Sequence, residues 1–401
     1  TTVSMVCVTG LSTLPVAETY STFGQIICML LMQIGGLSLI TFIGLFALQT
    51  RKKLSYVTTA TLQETLSVYD TRYFNSFIKS VFGFTFTFEA LGAFILSFQF
   101  VPQFGWGRGI FTSIFMAISA FCNAGFDNFG SNSLINYVTN PLINFTIAAL
   151  VIMGGLGFAV WFDLHHQIKH DRNIHKLNFH TKVVLGLTAT ILLGGTIVTL
   201  ITEYNNPSTI GNLPFYQKVM VSFFQTVTMR TAGFATLDYT KAKPVTLLIY
   251  VFQMMLGGAP GGTAGGVKIT SFLVLILFAR SEISGLPNTN FHYRTIDTLT
   301  IRKAFAVCSV FIVVFITGLL AISWTDPEKP LLFLIYEVMS ALATVGVSAS
   351  LTPTLNHASQ FILMFLMFFG RIGPLSILTS LSNKKPAKEK TLHYSKSSMI
   401  V

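Results

Sequence analysis

Apolar residues run along this chain in two lengths. The long runs include residues 24–48, 81–101, 142–161, 183–201, 304–323 and 361–381. Each holds about 19–25 residues, and a helix needs about 20 to cross the hydrocarbon core of a bilayer, so they predict membrane spans. The short runs occupy 109–121, 215–229 and 331–343. At about 13–15 residues they cannot cross, and they predict re-entrant helices whose ends are buried in protein or line a cavity.

Each short run opens into a brief glycine-bearing stretch: Asn123-Ala124-Gly125-Phe126, Thr231-Ala232-Gly233-Phe234 and Thr344-Val345-Gly346-Val347. A fourth copy, Val8-Thr9-Gly10-Leu11, stands near the start. The four glycines are 115, 108 and 113 residues apart, and near-constant spacing is the signature of an internal repeat. A second landmark follows each of them inside a long run: Gly35-Gly36, Gly154-Gly155, Gly257-Gly258 and Gly370 with Gly373. The predicted unit is therefore long helix, short helix, glycine loop, long helix. The expected fold is an all-α integral membrane protein of four tandem helix–pore-loop–helix repeats, in pseudo-fourfold arrangement around one central pore. The repeats are expected at 1–50, 77–163, 183–280 (with a broken second helix) and 304–382, followed by a basic tail at 383–401. The first unit has no leading helix in this sequence, and the expectation is that the chain begins inside a membrane segment.

Composition excludes the soluble alternatives. The 401 residues are 52% hydrophobic and 10% charged, whereas a soluble domain carries about 25% charged residues. A disordered chain is excluded by the same apolar density. The net charge of +11 would suit nucleic acid only as a contiguous basic face, and here the cations sit in clusters at the ends of apolar runs. Of 26 Lys and Arg, 18 lie in the segments joining the units or in the tail, beginning with Arg51, Lys52 and Lys53 and ending with Lys384, Lys385, Lys388, Lys390 and Lys396. The opposite side holds Arg108, Lys218, Lys241, Lys243 and Lys329. By the positive-inside bias the glycine loops open outward and the tail is cytoplasmic. Cys7, Cys28, Cys122 and Cys308 form no C-x-x-C pair and predict neither a disulfide framework nor a thiolate metal site.

Four short helices feeding glycine loops can surround one axis, where backbone carbonyls replace the hydration shell of a cation. Glycine is needed because such carbonyls require backbone angles that a Cβ tolerates poorly. The candidate cation-binding filter, for potassium if the resemblance given below holds, is Val8, Thr9, Gly10, Leu11, Asn123, Ala124, Gly125, Phe126, Thr231, Ala232, Gly233, Phe234, Thr344, Val345, Gly346 and Val347. For one copy alone, a helix-packing glycine is the simpler reading; four copies in the same place reverse it. Inside the third unit's last helix stand Gly257, Gly258, Ala259, Pro260, Gly261, Gly262, Thr263, Ala264, Gly265 and Gly266, six glycines and a proline in ten residues. A helix cannot continue through them, and unwound backbone at membrane depth must face protein or a water-filled path. Below the filter this loop could obstruct the pore; Arg371, a buried charge in a membrane segment, either faces a cavity or a partner or is satisfied by helix-end carbonyls with no transport role. A phosphate-binding loop is the competing reading. It needs G-x-x-x-x-G-K-[ST] after a strand, and Lys268 follows Gly266-Val267 after an apolar helix.

Other polar residues have plainer expectations. Arg230 and Glu337 could buttress filters from behind or serve structure alone, and Glu89 is expected to pack against a neighbouring helix. Asp127 is expected as a solvated loop carboxylate, although it could concentrate cations. Lys268 is expected to snorkel or to meet lipid or a cytoplasmic partner. His165, His166, His170, His175 and His180 are expected on a solvated face, since a metal site would need supporting second partners. The basic tail is expected as an anchor with affinity for anionic membrane lipid.

These motifs, above all Arg230-Thr231-Ala232-Gly233-Phe234, Val8-Thr9-Gly10-Leu11 and the glycine loop, resemble the Trk/Ktr/HKT superfamily of cation transporters. The resemblance covers essentially the whole chain and is nearest to the membrane subunit of a bacterial Ktr potassium uptake system. It implies potassium uptake across the bacterial cytoplasmic membrane by a multi-pass protein that is not an enzyme and uses no organic cofactor. In that family a filter glycine in all four units goes with K⁺, and a serine in the first unit with Na⁺. The resemblance further implies a gating role for the intramembrane loop and the nearby cation. It implies a homodimer on a cytoplasmic RCK-type ring that binds adenine nucleotides, and Na⁺-stimulated uptake, while nucleic acid is not expected as a partner. The alternatives are a sodium-permeable or weakly selective relative, or a membrane enzyme with a phosphate-binding loop.

Overall fold

The computed structural model describes residues 1–37, 74–130, 133–170 and 176–373. Helices α1 (Thr2–Val6), α2 (Val16–Thr19) and α3 (Thr22–Leu37) come first. Next are α4 (Phe74–Phe104), α5 (Trp106–Phe121), α6 (Pro141–Gly155) and α7 (Phe158–His170). Helices α8 (Phe179–Glu203), α9 (Phe215–Thr228), α10 (Pro244–Met255) and α11 (Ile269–Ile283) follow, then α12 (Thr298–Thr325), α13 (Leu331–Leu342) and α14 (His357–Ile372). A small hairpin of β1 (Asn290–Phe291) and β2 (Arg294–Thr295) joins α11 to α12.

Local chemistry sets the boundaries. Gly105, at φ +80°, separates α4 from α5, a backbone angle natural to glycine. Asn140 caps α6 by accepting from Ile143 N at 3.2 Å, with Pro141 in the first turn, a position where the missing N–H costs nothing. Asn356 caps α14 through Ser359 N at 2.9 Å. The buried Asp163 of α7 opens α8 by accepting from Asn178 N at 3.0 Å and from Thr181 Oγ1 at 2.6 Å.

Among the described residues, three helices are long and apolar enough to cross a membrane: Ser76–Phe104, Phe179–Glu203 and Thr298–Thr325. They present large apolar side chains outward, such as Phe86, Phe94 and Phe98 on α4 and Phe305, Val313 and Leu320 on α12. That surface suits lipid tails, not water. The expected span at 142–161 is not one helix. It breaks at residues 156–157, where α6 and α7 are bent by 94°. The cause is tertiary: Phe158 N donates to Gly261 O at 3.0 Å instead of continuing the ladder, and Gly157 takes φ +89°. The expected interruption of the third unit is present, with α10 ending at Met255 and α11 starting at Ile269. The three short runs form α5, α9 and α13. Residues 38–48 and 374–381 of two expected spans lie outside the described residues, as do Arg51, Lys52, Lys53, Arg172, His175 and the tail 383–401.

The core is divided among neighbouring segments. Met5, Val8, Cys28 and Met32 pack with Phe115, Cys122, Ala124 and Phe126 of the second segment. The second segment packs in turn with Phe224, Val227, Ala232 and Phe234 of the third. A third cluster joins Met229, Tyr239 and Tyr250 to Tyr336, Leu342 and Val345 of the fourth, and it also takes in Cys7 and Leu11 of the first. Neighbours in sequence are thus neighbours in space, and the last segment meets the first.

Candidate functional site

Each glycine loop leaves the C-terminus of a short helix by the same backbone path. Val8, Asn123, Thr231 and Thr344 have φ of 54°, 57°, 64° and 53°, and two residues later Gly10, Gly125, Gly233 and Gly346 have φ of 109°, 70°, 84° and 93°. A left-handed backbone costs a residue with a Cβ about 1–2 kcal/mol, and most at β-branched Val8, Thr231 and Thr344. Repetition of that strain in four separate loops marks it as imposed by a shared task. The intervening amides face back into the protein: Thr9, Ala124 and Val345 N–H donate to Ser4, Ser119 and Ser340 O, each at 2.8 Å. Ala232 N donates to Thr228 O at 3.0 Å.

The four loops meet at their glycines. A Cβ built on Gly10 would stand 3.0 Å from Ala124 O and 3.1 Å from Gly346 Cα. One on Gly125 would stand 2.8 Å from Ala232 O, and one on Gly233 2.8 Å from Val345 O. A Cβ on Gly346 would overlap Thr9 O. Carbonyls of Thr9, Ala124, Ala232 and Val345, each just ahead of its glycine, are therefore turned towards neighbouring loops, and a side chain at any of the four glycines would obstruct them. Phe126, Phe234 and Val347 are buried at 3%, 0% and 1% exposure and wedge the loops from behind. The hydroxyls of Thr9, Thr231 and Thr344 are buried without a hydrogen-bond partner among the described residues.

The second set of glycines admits the next helix to the loop base. Gly35, Gly154 and Gly370 lie against Val6 O, Phe121 O and Leu342 O, the equivalent carbonyl in three units. In the third unit the glycine-rich loop takes this place. Its ends pair, with Gly257 N donating to Val267 O at 2.9 Å and Ile269 N to Gly258 O at 3.2 Å. Its middle is laced to the α6–α7 elbow: Ala259 N donates to Gly155 O at 2.9 Å and Thr263 N to Gly154 O at 3.1 Å. Gly265 rests on the Thr344 hydroxyl. Arg371 of α14 donates to Thr263 O in this loop, and to Gly35 O and Gly36 O of α3, the last at 3.1 Å. Its guanidinium thus joins three segments beneath the glycine loops, with main-chain carbonyls as its only hydrogen-bond acceptors among the described residues.

Several expectations need correction. Lys268 does not snorkel: its Nζ donates to Ala264 O at 2.6 Å, and the residue closes the glycine loop on itself. Asp127 is half-buried and accepts from Phe129 N at 3.1 Å, and burial pushes its carboxyl above the usual carboxylate range. Glu337 does stand behind the fourth loop, where it accepts from Thr352 Oγ1 and from Ser348 Oγ at 2.9 Å. Arg230 is buried behind the third loop, with a 3.5 Å contact to Thr188 Oγ1 and an Nε that has no partner among the described residues. Glu89 meets α3, as expected, accepting from Gln33 Nε2 at 3.3 Å and lying beside Cys122 Sγ at 3.8 Å. His165 is exposed and rests against the Phe84 ring. No group of three His, Cys, Asp or Glu side chains among the described residues could hold a metal ion. Backbone reasoning missed Ser4, Ser119 and Ser340, whose only signal is a hydroxyl residue six positions before three of the four glycines.

A family model described as TrkH, cation transport protein, matches residues 1–392. The chain is 37% identical to Ktr system potassium uptake protein B of Bacillus subtilis, over 95% of this chain and 84% of that protein. It is 34% identical to potassium/sodium uptake protein NtpJ of Enterococcus hirae, over 100% of this chain and 88% of that one. Among solved structures, the potassium transporter TrkH from Vibrio parahaemolyticus superposes with a TM-score of 0.75 at 17% identity, covering 96% of this chain and 76% of that chain.

Proposed function

We propose, from the premise that this chain belongs to the TrkH family of cation transport proteins, that it is an integral membrane protein that takes up potassium through its four glycine loops. The family is one of transporters, not enzymes. Four helix–pore-loop–helix repeats surround one pathway, and the observation that carries the reading is the convergence of Thr9, Ala124, Ala232 and Val345 carbonyls at four glycines. Carbonyl dipoles can replace the water shed by a cation of low charge density. Residues 8–11, 123–126, 231–234 and 344–347 form the filter, with Gly10 in the first unit matching the potassium pattern.

Residues 257–266 and Arg371 form the gate. The loop lies across the base of the fourth filter at Thr344, and Arg371 adds a positive charge and a clasp at Thr263. A cation leaving the filter would meet both, so transport requires the loop to move. The Ktr name of a relative supports regulation by a further subunit; the reading includes a homodimer on a cytoplasmic, nucleotide-binding ring, with the loops opening outward and the tail inward. A second reading, transport of sodium beside potassium, draws on the name of the NtpJ relative.

Uptake by the purified chain in liposomes tests both readings, with K⁺, Rb⁺, Na⁺ and Li⁺ compared under an inward gradient. K⁺ and Rb⁺ well above Na⁺ and Li⁺ support the filter. Equal K⁺ and Na⁺ flux favours the second reading. Gly10→Ser is expected to lower the K⁺ to Na⁺ ratio, and an unchanged ratio would overturn the filter assignment.

A further inference from the structure

Three buried serines each hold a glycine loop by two consecutive or nearly consecutive amides. In the first loop Thr9 N donates to Ser4 O at 2.8 Å and Gly10 N to Ser4 Oγ at 3.0 Å. In the fourth, Val345 N donates to Ser340 O at 2.8 Å and Gly346 N to Ser340 Oγ at 3.0 Å. In the second, Ala124 N donates to Ser119 O at 2.8 Å, and the side chain reaches one residue further, accepting from Phe126 N at 2.9 Å. All three serines are 0% exposed. The third unit has Val227 at the equivalent place, and there the neighbouring Thr228 Oγ1 donates instead to Phe234 O at 2.8 Å.

A trans peptide is planar, so its N–H and its C=O point in opposite directions. The N–H of Gly10 shares a peptide with the carbonyl of Thr9, and that of Gly346 with the carbonyl of Val345. An N–H fixed backwards by a serine hydroxyl therefore turns that carbonyl forwards. The positions agree: Thr9 O lies against Gly346, and Val345 O faces Gly233. The Ser119 hydroxyl acts on the Gly125 carbonyl, one peptide later. Without the hydroxyl, a buried N–H is left unmatched, and rotating the peptide presents that N–H to the cation in place of the carbonyl.

We infer that Ser4 and Ser340 are positioning residues that hold the Thr9 and Val345 carbonyls towards the ion, with Ser119 doing so for Gly125. The inference rests on the filter reading above. It also makes the third loop the one whose central peptide has no serine grip.

The test is K⁺ and Na⁺ uptake in liposomes by Ser4→Ala and Ser340→Ala, with Ser222→Ala as the control. Ser222 is a buried serine of α9 whose hydroxyl has no partner among the described residues. The alanine variants are expected to lower the K⁺ to Na⁺ ratio about tenfold, equal to about 1.4 kcal/mol, and to raise the KM for K⁺ while Vmax is retained. Ser340→Thr, which keeps an acceptor hydroxyl, should restore the ratio, and Ser222→Ala should leave it alone. Ser340→Cys, which keeps the volume and weakens the acceptor, gives an intermediate ratio and serves where an alanine variant fails to fold. Folded alanine and cysteine variants with the parent's ratio and KM overturn the inference. If Gly10→Ser shifts the ratio while they do not, the filter reading stands and only the serine role falls. If none of them shifts it, both fall.

Discussion

Arg371→Gln isolates the clasp on the proposed gate. The guanidinium makes one bond to the glycine-rich loop, at Thr263 O, and two to α3, at Gly35 O and Gly36 O. A hydrogen bond from a charged donor contributes about 1.5–3 kcal/mol. Only the Thr263 bond must break when the loop moves, so its loss destabilises the closed arrangement by about 2 kcal/mol, a shift of about 30-fold in the open to closed ratio. Removing a positive charge from the exit of the proposed path acts in the same direction. Glutamine is preferred to alanine because its amide still satisfies one of the carbonyls. The assay is Rb⁺ uptake into K⁺-loaded liposomes with no other protein present, so that the parent's rate is its leak. The variant is expected to exceed that leak by about 10- to 30-fold, up to the limit set by the filter. A folded variant at or below the parental rate would refute the gate assignment and leave Arg371 as a packing residue.

Shortening the loop within residues 261–266 should raise flux further than Arg371→Gln, because it also removes the contact with the Thr344 hydroxyl; Rb⁺ uptake measures it, and unchanged flux would exclude the loop from gating. Glu337→Gln keeps the size of the side chain but replaces one acceptor oxygen by a donor facing the Ser348 and Thr352 hydroxyls; we expect a lower melting temperature in detergent and a reduced maximal uptake rate. Asp163→Ala removes the acceptor for Asn178 N, Asn178 Nδ2 and Thr181 Oγ1 and should cost about 1–3 kcal/mol, read as a lower melting temperature with the K⁺ to Na⁺ ratio unchanged.

Much of this was legible in the residues. The fourfold glycine spacing, the short helices and the break after Met255 all follow from run length and from glycine and proline, which act locally. What stayed hidden depends on partners distant in sequence. Residues 142–161 read as one apolar span because no local residue announces that Phe158 N will be claimed by Gly261 O. Arg371 declared itself as a costly membrane charge, but which distant carbonyls it would meet did not show; Lys268 read as a snorkelling side chain because nothing local marks Ala264 O as its acceptor. Val8 is a β-branched residue, and its own preference argues against φ +54°; the loop overrides it. The serines looked like ordinary small residues of a buried helix.

The lacing of the glycine-rich loop has a thermal consequence. To leave its place the loop must give up its bonds to Gly154, Gly155 and Phe158 of the second segment together with the Arg371 clasp. Breaking these bonds together gives opening an unfavourable enthalpy. Passage along a row of carbonyls, where one oxygen is exchanged for the next, carries little. Heat should therefore act on the resting leak far more steeply than on flux through an already open protein, and the same chain would behave as a tight seal when cold and as a progressively looser one when warm.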